Sequence, residues 1–82
     1  MTCNEFINLI ENGSDIMFSC DDIKFTIITW AEQGIGIGFQ NSDPALNKIK
    51  YFKSAIDLVN NYRVNGIPIS ELIDTIVIEQ YS

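Results

Sequence analysis

Eighty-two residues, 46% of them hydrophobic and 20% charged, leave room for one globular domain and describe a folding chain. A chain this short buries only about 60 to 65% of the surface its unfolded form exposes, so little material is left to build a deep active site. Eleven acidic residues against five basic ones set the net charge at −6, and no histidine is present. That composition removes the histidine-based nucleophile pairs and the commonest zinc ligand, and argues against a nucleic-acid footprint.

In chain order, Thr2-x-x-Glu5 is a capping box, and Phe6, Leu9 and Ile10 follow at helical spacing, with Asn12-Gly13 as a left-handed stop. A helix is predicted over residues 3–12. The period then becomes two: Ile16, Phe18 and Cys20 share one face, an Asp21-Asp22 turn intervenes, and Ile23, Phe25 and Ile27 continue it. Ala31-Glu32-Gln33-Gly34 makes the next turn, and Ile35, Ile37 and Phe39 form a third strand before the polar loop Asn41-Ser42-Asp43-Pro44.

Residues 48–52, with Ile49 and Tyr51 alternating with lysines, read as a short fourth strand. Ser54-x-x-Asp57 caps a second helix whose apolar stripe is Ala55, Leu58, Val59 and Tyr62, and Asn65-Gly66 with Pro68 is read as its end. Ser70 is read as the cap of a short third helix reaching about Thr75. The β-branched residues from Ile76 onward close the chain as a strand. The expected fold is α+β, a single domain over residues 1–82. It comprises a small antiparallel sheet of four to five strands, an N-terminal helix and two later helices, in the order α-β-β-β-(β)-α-α-β.

No residue is assigned a catalytic, cofactor-binding or metal-binding role. Asp15, Asp21 and Asp22 are the nearest approach to a carboxylate cluster, but their spacing matches no calcium loop and a solvated turn accounts for the pair. Cys3 and Cys20 lack the spacing of a zinc site and read as reduced, partly buried thiols. Gly34, Gly36 and Gly38 are spaced GxGxG without the following helix of a phosphate loop. Period two instead places all three on one strand face, a bare strip open to close approach by a helix, which is the first expectation, or by another sheet or a partner backbone.

The face opposite Phe25 and Ile27 carries Thr26, Ile28 and Trp30, with Met17 across from it. That is too apolar for an ordinary wetted surface, and it marks either an interface or a second core layer under a later helix. Charge is uneven too. Residues 1–22 hold five acids and no Lys or Arg, whereas Lys48, Lys50, Lys53 and Arg63 come late. An acidic first half favours a partner with a basic surface, not direct nucleic-acid contact.

The run Phe6-Ile7-x-Leu9-Ile10-Glu11-x-Gly13, the aromatic hairpin and Asn65-Gly66-Ile67-Pro68-Ile69-Ser70-Glu71-Leu72 together resemble small uncharacterised proteins of phages and mobile elements in low-GC Gram-positive bacteria. The resemblance spans most of the chain, rests on caps and turns, and carries no catalytic residue with it. It implies a protein that binds and blocks a host protein, defence nucleases included. The sequence therefore leads to a non-enzymatic protein-binding module whose partner-binding residues are Met17, Asp21, Asp22, Thr26, Ile28 and Trp30. Its expected partner is a host protein. No secretory leader or 20-residue apolar run is seen, so a cytoplasmic location without membrane contact is expected. The alternatives are a small-ligand or nucleotide-sequestering protein with its site between protomers, or a self-associating structural protein, each pointing to a homodimer.

Overall fold

The computed structural model describes residues 1–39 and 48–81, so the loop expected at residues 41–44 lies outside the described residues. The capping box forms as the sequence requires. Thr2 Oγ1 accepts the Glu5 amide at 3.1 Å and Glu5 Oε1 accepts the Thr2 amide at 3.0 Å, opening helix α1, Cys3–Glu11. These bonds hold the Glu5 carboxyl below its ordinary range, the Thr2 backbone amide contributing most and the Thr2 side chain next. Asn12 ends the helix and Gly13, at φ +77, turns the chain away.

Four strands then meander: β1 Ile16–Cys20, β2 Ile23–Trp30, β3 Gly34–Phe39 and β4 Lys50–Phe52. Each pairs antiparallel with the next, and register follows the hydrophobic period: Phe18 faces Phe25, Ile16 faces Ile27, and Ile27 faces Ile37. Between β1 and β2 the turn residues Asp21 (φ 52) and Asp22 (φ 63) both sit in the left-handed region, the geometry that matches a two-residue loop to strand twist.

Helix α2, Ala55–Asn61, starts where Ser54 Oγ accepts the Asp57 amide at 3.1 Å. The sequence predicts its end at Asn65-Gly66. Instead the helix stops at Tyr62, which turns extended (φ −78, ψ 123), and Asn65-Gly66 forms the tip of a small hairpin joining β5 Arg63–Val64 to β6 Ile67–Pro68. Asn65 (φ 54) and Gly66 (φ 82) occupy the two left-handed positions that Asn-Gly fills best in a hairpin. Arg63 Nη1 braces the tip by donating to the Gly66 carbonyl at 2.9 Å.

The expected third helix is also corrected. Ile69–Glu71 and Ile73–Thr75 are two single 3₁₀ turns and Ser70 caps neither. With i→i+3 bonding, side chains three apart eclipse, and Ile69, Leu72 and Ile73 all reach the core from this short β-branched run. Strand β7, Val77–Tyr81, follows and pairs with β1, with a register shift between Met17 and Phe18 that leaves Glu79 as an extra residue on β7. The sheet order is β4-β3-β2-β1-β7, which makes the chain α+β with a five-stranded antiparallel sheet.

Helices α1 and α2 and the two described 3₁₀ turns cover one sheet face. Phe6 and Ile10 from α1, Leu58 and Val59 from α2, and Ile69 meet Ile16, Phe18, Phe25, Ile27 and Ile37 in one buried cluster. Phe18 stacks on Phe25 (centroids 5.2 Å apart) and takes the Phe6 ring edge-on at 5.6 Å. No described helix is long and apolar enough to cross a membrane.

Candidate functional site

The period of two that buries Phe25 and Ile27 sends Lys24, Thr26, Ile28 and Trp30 to the other side of β2, where no described helix lies. Met17 stands across from Thr26 in the β1–β2 ladder. The second-layer alternative for this face is therefore set aside among the described residues: the later helix packs on the Phe25 side. Trp30 keeps 46% of its surface exposed, and Ile28, Thr26 and Met17 are half-buried by their neighbours in the sheet.

The glycine strip adjoins this surface, and here too the expectation is corrected. No described helix packs on it. Gly36 pairs with Tyr51 of β4, and the Tyr51 and Ile49 side chains lie across the strip, within 3.0 to 3.4 Å of where a Gly36 Cβ would stand. Exposed themselves, Ile49 and Tyr51 extend the apolar surface from Trp30 to the β4 edge. A shallow hollow of about 160 Å³ between Thr26, Ile28, Trp30, Gly36 and Ile49 forms its centre. The alternation of Ile49 and Tyr51 with lysines points to a strand, but only the pairing with β3 shows which face they join.

Asp21 and Asp22 do not join them. They occupy the β1–β2 turn, at the other end of the eight-residue β2 from Trp30, roughly 25 Å away at the usual rise per residue. Asp21 instead reaches the second hairpin, where its Oδ2 accepts from Asn65 Nδ2 at 3.4 Å. The one ion pair among the described residues, Lys24 to Glu79 at 3.7 Å, lies between that turn and the apolar centre.

Cys3 and Cys20 are both free thiols, Cys20 buried with its Sγ 3.5 Å from Thr75 Oγ1. Among the described residues no three His, Cys, Asp or Glu side chains gather as a metal site would need. Tyr62 is held above its ordinary range by burial, with its ring edge-on to Phe25 and Phe52. Comparison of the chain with protein-family models, curated proteins and solved structures gives no match.

Proposed function

We propose that this chain is a non-enzymatic protein-binding module that docks through its helix-free sheet face onto a partner with a basic surface. The observation that carries the reading is that every described helix lies on the Phe25 side, while Trp30, Ile28, Ile49 and Tyr51 make a continuous apolar surface on the other. Exposed aromatic and long aliphatic side chains gathered on one face supply the central anchors of interfaces. The net charge of −6 supplies the complementary field, acting on encounter more than on final affinity. The resemblance to phage and mobile-element proteins supports the narrower reading, an inhibitor that occludes a host defence or nucleic-acid-binding protein inside the cytoplasm. With Asp21 and Asp22 at the far end of the sheet, they act in this reading as a rim and steering charge, not as part of the anchor.

The test places a photo-crosslinking side chain at position 28 and, as a control, at the exposed helix position 56, in lysate of a low-GC Gram-positive host. The expected result is one discrete adduct from position 28 that disappears with Trp30→Ala and is absent from position 56. Equal labelling from both positions, or none from position 28, refutes the reading. A dimeric mass for the purified protein alone, lost with Trp30→Ala, would replace it with self-association through the same face.

A further inference from the structure

We propose that the cavity between the open end of the sheet and the β5–β6 hairpin is a binding site for a nucleoside phosphate. It measures about 490 Å³, and its lining includes three rings, Phe25, Phe39 and Tyr62, and three cations, Lys48, Lys50 and Arg63. That volume is within the general range of small-ligand sites, and it is built within one chain.

The charge distribution is what singles it out. The chain has five cations against eleven acids, yet three of those five line this one cavity and no described Asp or Glu lines it. Lys50 is opposite Ile37, which sets it on the helix-side face of the sheet, and Arg63 is tethered to the Gly66 carbonyl at its rim. None of the three makes an ion pair among the described residues, and Asp21 accepts a hydrogen bond from the lining residue Asn65. Folding alone does not call for such a gathering of like charge, because mutual repulsion opposes it.

The aromatic side narrows the ligand class. Phe25 takes the Phe39 ring at 6.4 Å and the Tyr62 ring at 6.1 Å, both edge to face; Phe25 and Tyr62 are buried and Phe39 is half-buried, so a planar base would rest at the margin of this ring cluster, against Phe39. Three cations suit a phosphate chain of two or more negative charges, for which Arg offers a planar fork and Lys a point charge. A lone carboxylate would leave most of that charge unanswered. The site lies on the opposite side of the sheet from Trp30 and is independent of the docking proposal, so either can fail alone.

The test is calorimetric titration and amide chemical-shift mapping of the full chain at low salt, with the four common nucleoside triphosphates as probes. Inorganic triphosphate, adenosine and a short oligothymidylate serve as comparators. At least one nucleotide is expected to saturate, shifting the amides of Phe25, Phe39, Tyr62 and Arg63, with adenosine or triphosphate alone about tenfold weaker or more. Lys48→Gln with Lys50→Gln should weaken binding by about a hundredfold, two charge-assisted contacts at about tenfold each, without moving the melting temperature. Arg63→Gln is a second variant read in the same way. Absence of saturation by every nucleotide, or unchanged affinity in the charge variants, overturns the proposal. So does tighter binding of the oligothymidylate, which would make the cavity a nucleic-acid strand site.

Discussion

Gly36 stands directly opposite Tyr51 in the β3–β4 ladder, and a Cβ placed on it would lie 3.1 Å from Tyr51 Cε1 and 3.0 Å from Ile49 Cγ2. Both neighbours are side chains that can rotate aside. Two residues earlier, the same construction on Gly34 meets the Phe52 carbonyl oxygen at 2.6 Å, and Gly34 sits at φ +94. Backbone cannot swing away, and an L side chain is strained at that φ.

The two glycines should therefore respond differently to alanine. Gly34→Ala is expected to cost on the order of 3 kcal/mol, and Gly36→Ala to stay within about 1 kcal/mol of wild type, since gained strand propensity offsets displacement of Ile49 and Tyr51. Thermal unfolding reads the difference. Equal losses at the two positions would mean that the side chains of β4 do not lie on the strip as described.

The Asp21-Asp22 turn places two non-glycine residues in the left-handed region, where Asp or Asn followed by Gly is the favoured pair. Asp22→Gly should stabilise the protein by about 0.5 to 1 kcal/mol, the relief of strain exceeding the added unfolded-state entropy. The bond from Asn65 to Asp21 is left in place by this change. A drop in the urea midpoint would refute the account.

Two groups set opposite pH limits. The Glu5 carboxyl is lowered from 4.5 by Thr2, so its stabilisation is present above pH 4.5 and is lost as pH falls through the lower folded value. Glu5→Gln should flatten the acid side of the stability profile. Tyr62 is raised from 10.0 by burial, so its contribution is complete below pH 10 and fades as pH rises through the folded value. Tyr62→Phe should remove part of the alkaline loss, and a profile that keeps the same alkaline slope in that variant contradicts the assignment.

Phe18 and Trp30 separate core from surface. Phe18 has no exposed area and touches the Phe6 and Phe25 rings, so Phe18→Ala should cost about 3 to 5 kcal/mol. Trp30 is half exposed, and Trp30→Ala should stay within about 1 kcal/mol while abolishing the crosslink from position 28. Denaturant titration distinguishes them, and a large loss with Trp30→Ala would assign that ring to the fold.

Local chemistry was legible wherever the partners of a residue are close in sequence. The Thr2 and Glu5 box, the Ser54 cap and the alternation that buries Phe18, Phe25 and Ile37 each operate within a few residues, and all are present in the structure. The structure departs from the sequence expectation where two local readings compete. Asn65-Gly66 serves equally as a helix stop or a hairpin tip, and the pairing of Val64 with Ile67 selects the hairpin. Ser70 offers a cap, but burial of Ile69, Leu72 and Ile73 against the core imposes 3₁₀ turns in which no cap bond forms.

The candidate surfaces divide along the same line. That Met17, Thr26, Ile28 and Trp30 share a face follows from the two-residue period of paired strands alone. Which face the helices leave open, and which side chains fill the glycine strip, depended on how distant elements pack. The same holds for the meeting of Lys48, Lys50 and Arg63 with Phe25 and Tyr62. A strand presents two alternating faces, and only the burial of the whole chain chooses the one that becomes core.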